Sequence, residues 1–212
     1  MTFRWRTEGD GTVQVDGGQG FATPSLTKPE RELFRAKTGR WRALALEHAE
    51  RHGVPLSWVL AVIFAESHGD EHAGPNAKGF GGLMAIGPLT VRAVEPGSTR
   101  THAADLHDPA WNVHVGTAYL GRLRGEAGEH GSELPVVASL YNAGQRAPGQ
   151  PWPSNRSPWG MRENEGYISR VVRASNAVTA EERRIGAGTA AAGGLGAVLG
   201  LALVAWVLSE VV

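Results

Sequence analysis

The hydrophobic positions of this chain are densest in residues 56–65, which are all apolar except Ser57. Pro55 precedes this run, and proline is favoured in the first turn of a helix because an N–H there has no partner within the helix. Gly69 follows the run, and glycine commonly ends a helix because it adopts the left-handed conformation without strain. The pattern therefore predicts a buried helix over about residues 55–67.

One carboxylic acid lies at the end of this predicted helix. Glu66 follows Val59, Val62 and Ile63 by seven, four and three residues, so helical spacing places its side chain on an apolar face. Burial favours the neutral form of a carboxyl group and raises its pKa, as a general acid requires near neutral pH. A second interpretation stays open at this point, in which Glu66 is a solvated charge in the last turn.

Helical spacing recurs along most of the chain, whereas strand-like alternation is confined to residues 12–15. Residues 145–162 contain four prolines, which exclude a regular helix there. Further helices are predicted at about residues 29–51, 89–94, 110–124, 134–141 and 163–178. The predicted fold class is all-α.

The two ends of the chain differ from its centre. Residues 1–26 form a polar, glycine-rich arm, which is either disordered or a docking extension for a partner. Residues 27–178 are predicted to form the main domain, opened by a capping box at Thr27 and Glu30. A second capping box at Thr179 predicts a capped helix that leads from residue 179 into the tail, which ends at residue 212.

The tail predicts a C-terminal transmembrane helix. Residues 185–209 contain no charged residue, and a helix of that length spans roughly 37 Å, enough to cross a hydrocarbon core of about 30 Å. Its small residues, including the GxxxG pattern of residues 196–200, suit helix packing in lipid and permit self-association. A glycine-rich hinge outside the membrane is the competing interpretation.

Charge and composition exclude several functions. Lys and Arg total 21, as do Asp and Glu, so no overall field favours nucleic acid, and the absence of cysteine excludes disulfides.

His48 and His52 lie four residues apart, the spacing of two ligands on one helix face. No third ligand is evident, so the pair is more typical of surface histidines, and we predict no metal site.

Five short motifs, in this order and spacing, are similar to those of a known enzyme family. They are IFAES at residues 63–67, GLMAI at 82–86, DLHDP at 105–109, YNAG at 141–144, and Glu163 followed by Tyr167. Over about residues 38–178 the chain resembles the lytic transglycosylases of the soluble-lytic-transglycosylase (SLT), goose-type-lysozyme-like family. The resemblance implies an all-α, lysozyme-like domain with a sugar-binding groove beside the helix that carries Glu66.

The resemblance also implies an activity. The substrate would be the peptidoglycan glycan strand, cleaved between MurNAc and GlcNAc to leave a 1,6-anhydro-MurNAc end, with Glu66 as the catalytic residue and no cofactor. The implied substrate-binding residues are Ser67, Met84, Tyr141, Asn142 and Tyr167. The alternatives are a goose-type muramidase, which hydrolyses the same bond, and a non-catalytic peptidoglycan-binding or structural virion protein.

A hydrolytic enzyme would use a second carboxylate to activate water. The candidates nearest in the sequence are Asp70 and Glu71, which we interpret as solvated loop charges, and Asp105 and Asp108, which we interpret as turn and helix-entry residues. Glu163 matches the family pattern but is equally consistent with an ion pair or a cap.

Two features depart from the family pattern. Ala85 occupies a position where the family usually has glutamine, which removes one polar group near the groove. The segment after Gly144 is unusually rich in proline and tryptophan, and Trp152 and Trp159 are possible stacking platforms for sugar rings.

Topology raises the question of how the enzyme reaches the cell wall. Residues 1–10 lack the apolar stretch of a secretory signal, and Arg183 with Arg184 precedes the tail, which would keep the domain cytoplasmic. We therefore expect a virion component, held in a virion membrane or in the apparatus for host-cell penetration, with virion proteins as possible partners. The bacterial cell envelope is the alternative location.

Overall fold

A computed structural model describes residues 4–16, 19–100, 102–143 and 164–191, with side chains given as far as residue 187. Three short strands come first, β1 (Trp5–Thr7), β2 (Val13–Asp16) and β3 (Phe21–Ala22), paired antiparallel in that order. Eight α-helices follow in the described residues: α1 (Lys28–Leu33), α2 (Arg42–His52), α3 (Leu56–Ser67), α4 (Pro88–Val94), α5 (Ala103–Leu106), α6 (Pro109–Glu126), α7 (Leu134–Ala143) and α8 (Glu165–Ala191).

The helical start and stop signals of the sequence are largely confirmed. Thr27 and Glu30 form the expected capping box, and Asp108 accepts hydrogen bonds from the first N–H groups of α6. Gly53 ends α2 in the left-handed conformation, with φ at +62°. At the end of α3 the left-handed residue is His68, with φ at +55°, and Gly69 follows it with φ at +86°.

The single long helix predicted over residues 29–51 is interrupted. Between α1 and α2 the chain forms a π-helical turn, Phe34–Thr38, and then a 3-10 turn, Gly39–Trp41. Phe34 and Thr38 are buried in this turn, and the Phe34 ring lies 5.4 Å from that of Phe64 on α3. The change in helical pitch therefore occurs where the chain packs against α3. Sequence periodicity does not predict this interruption, because it depends on a contact with another helix.

α3 lies at the centre of the main domain. Its residues from Ser57 to Ala65 are all buried, as expected for a helix that is apolar on every side. It packs against α8 on one side and α2 on another, while α6 contacts α2, α4 and α7. The end of α3 that carries Glu66 is therefore fixed by neighbouring helices.

The N-terminal arm is ordered where it is described, and it docks on this chain's own α8. Val13 is fully buried, and its backbone N–H donates to Asn176 Oδ1 at 2.9 Å. Asn176 Nδ2 donates back to the Val13 carbonyl at 2.8 Å and to the Pro24 carbonyl at 2.9 Å. Arg183 on α8 also forms an ion pair with Asp10 at 2.7 Å.

α8 differs from the prediction at its centre. It runs without a break through Thr179, which is buried, so the helix start predicted there is not found. No helix in the described part of the chain is long and apolar enough to cross a membrane. The predicted membrane segment, 185–209, extends beyond Ala191, and that part lies outside the described residues.

Candidate active site

Glu66 is the next-to-last residue of α3, and its half-buried carboxyl group faces α8. Tyr167 on α8 donates a hydrogen bond from its hydroxyl to Glu66 Oε1 at 2.7 Å. Burial raises the pKa of Glu66 above its usual value, and this effect exceeds the opposing effects of the Tyr167 hydrogen bond and the positive charge of Arg170. The site therefore favours a protonated carboxylic acid more than water does.

Tyr167 is suited to remain a hydrogen-bond donor. It is buried, and both burial and the charge of Glu66 hold the pKa of its hydroxyl well above the usual value. Arg170 lies three residues further along α8, with its guanidinium carbon 5.8 Å from the centre of the Tyr167 ring. One face of α8 thus supplies both the donor and the nearby positive charge.

The loop before α4 is held in place by one buried amide. Asn112 on α6 accepts a hydrogen bond from the Met84 backbone N–H at 2.8 Å and donates to the carbonyls of Gly81 at 3.0 Å and Leu106 at 2.8 Å. Gly82 has φ at +76°, and a Cβ there would lie 2.1 Å from Asn112 Nδ2. Only glycine fits this close approach.

Tyr141 connects this loop to α7. Its buried hydroxyl donates to the Met84 carbonyl at 2.7 Å. Burial and the nearby charge of Glu66 raise the pKa of Tyr141 well above its usual value. The Met84 side chain is fully buried, and a Cβ at Gly116 on α6 would lie 2.5 Å from its sulfur. The Met84 side chain therefore presents no exposed surface to a sugar, and its predicted sugar contact stays a prediction, while its backbone N–H and carbonyl are bound by Asn112 and Tyr141.

Ser67 contacts backbone groups. Its hydroxyl lies 2.9 Å from the Leu83 carbonyl and 3.1 Å from the Ile63 carbonyl, and it accepts from the Gly69 N–H at 3.1 Å. The bond to the Leu83 carbonyl joins the end of α3 to the loop that carries Met84. The contacts fix the backbone on either side of Glu66, and a direct contact between Ser67 and the substrate stays a prediction.

Asn142 lies at the exposed end of α7. Its Nδ2 donates to Asn164 Oδ1 at 2.6 Å, and Asn164 Nδ2 in turn donates to the Ser139 hydroxyl at 3.0 Å and the Ser139 carbonyl at 3.2 Å. This chain of amides joins α7 to the residue before α8. Asn142 therefore presents a polar group at the surface, and its hydrogen bond to Asn164 fixes its position.

Residues 43–157 match the transglycosylase SLT domain family, which is more than half of the chain. The chain belongs to this family. The matched range includes Glu66, Met84 and Tyr141, and it ends before α8, so Tyr167 comes from outside it. We call the main domain, residues 27–178, which contains the matched range, the SLT domain.

Relatives of the SLT domain include three bacterial proteins named membrane-bound lytic murein transglycosylases. Transglycosylase C of Haemophilus ducreyi is 29% identical over 142 residues, covering 63% of this chain and 38% of that protein. Transglycosylase E of Buchnera aphidicola is 28% identical over 108 residues, covering 48% and 50% respectively. Transglycosylase F of Desulfosudis oleivorans is 39% identical over 86 residues, covering 40% and 17%. The chain thus spans half or less of each relative's length.

A solved structure supports the fold. The X-ray structure of an inactive mutant of the lytic transglycosylase Slt from Pseudomonas aeruginosa superposes with a TM-score of 0.50 over 68% of this chain and 24% of that one. Its sequence identity of 22% limits the comparison to the fold. The predicted helical, lysozyme-like architecture of the SLT domain is confirmed.

The four other carboxylates considered as water-activating groups have structural partners. Glu71 forms an ion pair with Arg40, and Asp70 accepts a hydrogen bond from the His72 backbone N–H at 3.0 Å. Asp105 caps α5 and Asp108 caps α6, and both form ion pairs with Arg100. Their predicted roles as loop and helix-entry charges agree with these contacts.

Sequence reasoning missed Asn112 and Arg170 as site residues. Arg170 follows Tyr167 by three residues, so helical spacing alone could have placed the two on one face. Helical periodicity does not predict the contacts of Asn112, because two of its three hydrogen-bond partners, Met84 and Gly81, lie 28 and 31 residues away along the chain.

Ala85 is left-handed, with φ at +44°, in the position where the resemblance expects glutamine. Glu163, Trp152 and Trp159, whose contacts with the substrate the sequence left open, lie outside the described residues.

Proposed function

We propose that the SLT domain is a peptidoglycan lytic transglycosylase, which cleaves the bond between MurNAc and GlcNAc and leaves a 1,6-anhydro-MurNAc end. The environment of Glu66 carries the proposal: a half-buried carboxyl group whose pKa is raised, held at one oxygen by Tyr167. Such a group is protonated over more of the neutral range than a free glutamate, so it can act as a general acid. The names of the relatives, which are lytic murein transglycosylases, support the same activity.

In the proposed reaction Glu66 transfers its proton to the glycosidic oxygen while the bond from MurNAc C1 to that oxygen breaks. Positive charge develops at C1 as an oxocarbenium-like centre. The Glu66 carboxylate then removes the proton of the MurNAc C6 hydroxyl, whose oxygen bonds to C1 and closes the anhydro ring. The substrate's N-acetyl group can assist at C1. Glu66 ends protonated, no water is consumed, and one carboxyl group serves both steps.

The surroundings of Glu66 favour this route over hydrolysis. Within the described residues, the groups that act on its carboxyl are the Tyr167 hydroxyl and the Arg170 cation, and neither is a general base. Inverting hydrolysis uses a second carboxylate about 6.5–9.5 Å away to activate water. Asp70, Glu71, Asp105 and Asp108 are occupied in caps and ion pairs.

The other predicted site residues divide into three proposed roles. Asn142, polar and exposed at the end of α7, binds the sugar. Ser67, Met84 and Tyr141 position the backbone around Glu66, through the bonds from Ser67 to the Leu83 carbonyl and from Tyr141 to the Met84 carbonyl. Tyr167 orients the catalytic carboxyl group.

Digestion of purified sacculi tests the activity. The proposal predicts soluble muropeptides that end in anhydro-MurNAc, each lighter by one water than the corresponding reducing-end product in mass spectrometry. Reducing ends would instead indicate the goose-type muramidase. Binding to sacculi without soluble products would indicate the non-catalytic alternative, and either result contradicts the proposal.

We further propose that the tail, residues 185–209, anchors the SLT domain at a membrane. The absence of charge in this segment and the membrane-bound names of the relatives support the anchor. Deleting residues 192–212, which removes most of this segment, is expected to move the protein from the floated membrane fraction to the soluble fraction of a flotation gradient. Unchanged partitioning contradicts the anchor.

A narrower form of this proposal places the protein in a virion, where it would open the wall during host-cell penetration. It rests on the sequence alone, whereas the organisms of the named relatives are bacteria. Co-purification with virus particles supports the virion location, and co-purification with host envelopes alone contradicts it.

A further inference from the structure

Three histidines meet where α2 packs against α6. His48 and His52 lie one turn apart on α2, and His114 faces them from α6. One ring nitrogen from each lies within 4.8 Å of those from the other two. The third ligand that the sequence did not reveal is therefore present, 62 residues away from His52 along the chain.

One ring nitrogen of His48 lies in an environment that favours a bound ligand. The side chain is only 4% exposed, and its Nδ1 finds no hydrogen-bond partner within the described residues. An unpaired polar atom at such a depth costs free energy unless a partner occupies the space beside it. Burial and the neighbouring imidazoles also lower the pKa of His48 and His52, which favours the neutral rings that bind metal ions.

The surroundings of His114 resemble those of a metal ligand. Its Nε2 lies 3.8 Å from Glu95 Oε1, and the Trp111 indole N–H donates to the same carboxylate at 3.2 and 3.3 Å. At 3.8 Å this contact is longer than a hydrogen bond, and a small rotation of the His114 ring would let the carboxylate orient the ring and increase the basicity of its other nitrogen. That other nitrogen, Nδ1, lies 3.1 Å from His52 Nε2.

We propose that His48, His52 and His114 bind a zinc ion, with water as the fourth ligand. Three imidazoles suit zinc and neighbouring transition metals, whereas calcium and magnesium require oxygen ligands. Tetrahedral zinc with bonds of about 2.0–2.1 Å needs ligand nitrogens about 3.3 Å apart. The separation of 3.1 Å between His52 Nε2 and His114 Nδ1 is already near that value. Rotation of the side chains would bring the ring nitrogen of His48, which lies within 4.8 Å of the other two, to a similar distance.

The ion would join α2 to α6 and would take no part in glycan cleavage. None of the groups that act on Glu66 belongs to the cluster. The competing interpretation is a metal-free cluster, in which His52 and His114 share a hydrogen bond and His48 contributes only packing. The two interpretations differ in affinity for zinc and in its effect on stability.

Zinc titration of the tag-free, chelator-treated full chain tests the proposal. We expect one equivalent of Zn²⁺ to bind with a Kd below about 1 µM, because three imidazoles are held by two packed helices. Free Zn²⁺ at about one hundred times Kd should raise the melting temperature by about 5–10 °C. Cobalt bound at the same site should give the intense visible absorption of tetrahedral coordination.

His114→Gln should weaken zinc binding by at least about 100-fold, because loss of a ligand costs at least as much as loss of its outer-shell partner. The ring of His114 is about one-third exposed, so this variant is expected to fold where a change at buried His48 would be less informative. His107→Gln is the matched control, because the His107 ring packs edge-to-face against that of His72, with ring centres 5.3 Å apart, and no third histidine of the described residues completes a ligand set there. Weak binding by the unmodified chain, or equal binding by His114→Gln, overturns the proposal.

Discussion

Replacing Glu66 by glutamine is expected to reduce the release of anhydro-muropeptides from sacculi by at least about 10³-fold. General acid–base catalysis typically contributes about 10²–10⁴-fold, and here one carboxyl group acts first as the acid and then as the base. Glutamine keeps the shape of the side chain and can still accept the Tyr167 hydrogen bond, but it cannot transfer a proton. Initial rates of product release measured by mass spectrometry check this expectation.

The same substitution should leave the fold at least as stable at neutral pH. The pKa of Glu66 is raised in the folded state, so the charged carboxylate destabilises the fold at pH values above that pKa. Glutamine removes this cost, and we expect a gain of about 0.5–2 kcal/mol in the free energy of unfolding at pH 7–8. The gain should vanish as pH falls below the ordinary glutamate value of 4.5, where both proteins are neutral at this position.

Glu71→Gln is the matched control for Glu66→Gln, since it removes the same charge from a nearby loop. Glu71 pairs with Arg40 near the surface, and such pairs are worth about 0–1 kcal/mol. Its rate of product release should stay within about threefold of the unmodified rate. Full activity of Glu66→Gln, or inactivation of both variants, would contradict the proposed role of Glu66.

Removing the Tyr167 hydroxyl, in Tyr167→Phe, is expected to lower kcat/KM by about 10–100-fold. A hydrogen bond to a charged group is worth about 1.5–3 kcal/mol, and this one fixes the catalytic carboxyl group by Oε1, leaving Oε2 to carry the proton. The bond also lowers the pKa of Glu66, so its removal should raise that pKa further. Activity requires the protonated acid, so the fall in kcat/KM at high pH should move to a higher pH.

Tyr119→Phe provides the control for Tyr167→Phe. Tyr119 is also buried, and the centre of its ring lies 5.7 Å from that of Tyr141. It is not among the groups that shift the pKa of Glu66. Its pH profile should match that of the unmodified protein. A Tyr167→Phe profile with an unmoved alkaline limb would mean that the hydroxyl does not hold Glu66 during the reaction.

Local signals in the sequence predicted most of the helical framework. The apolar run after Pro55 gave α3, the Thr27 and Asp108 caps gave the starts of α1 and α6, and Gly53 gave the end of α2. Each depends on neighbours within one helical turn, so a linear pattern can record it. The position of Glu66 on a buried helix could be predicted for the same reason.

The features that the sequence did not predict depend on contacts between distant residues. Asn112 holds a loop some thirty residues away, and His114 completes a cluster that begins on α2. The N-terminal strands are ordered by Asn176, which is 163 residues from Val13. Thr179 had the local form of a cap, but it is buried within a continuous helix, where packing outweighs a local capping preference.

The most direct test of the proposed chemistry is digestion of sacculi in water enriched in oxygen-18. If Glu66 directs the MurNAc C6 hydroxyl to C1, the new anhydro ends form without water and carry no label. A hydrolytic enzyme would place one labelled oxygen at C1 of every new reducing end. Unlabelled anhydro ends, lost in Glu66→Gln, are the predicted result, and labelled reducing ends would contradict the account.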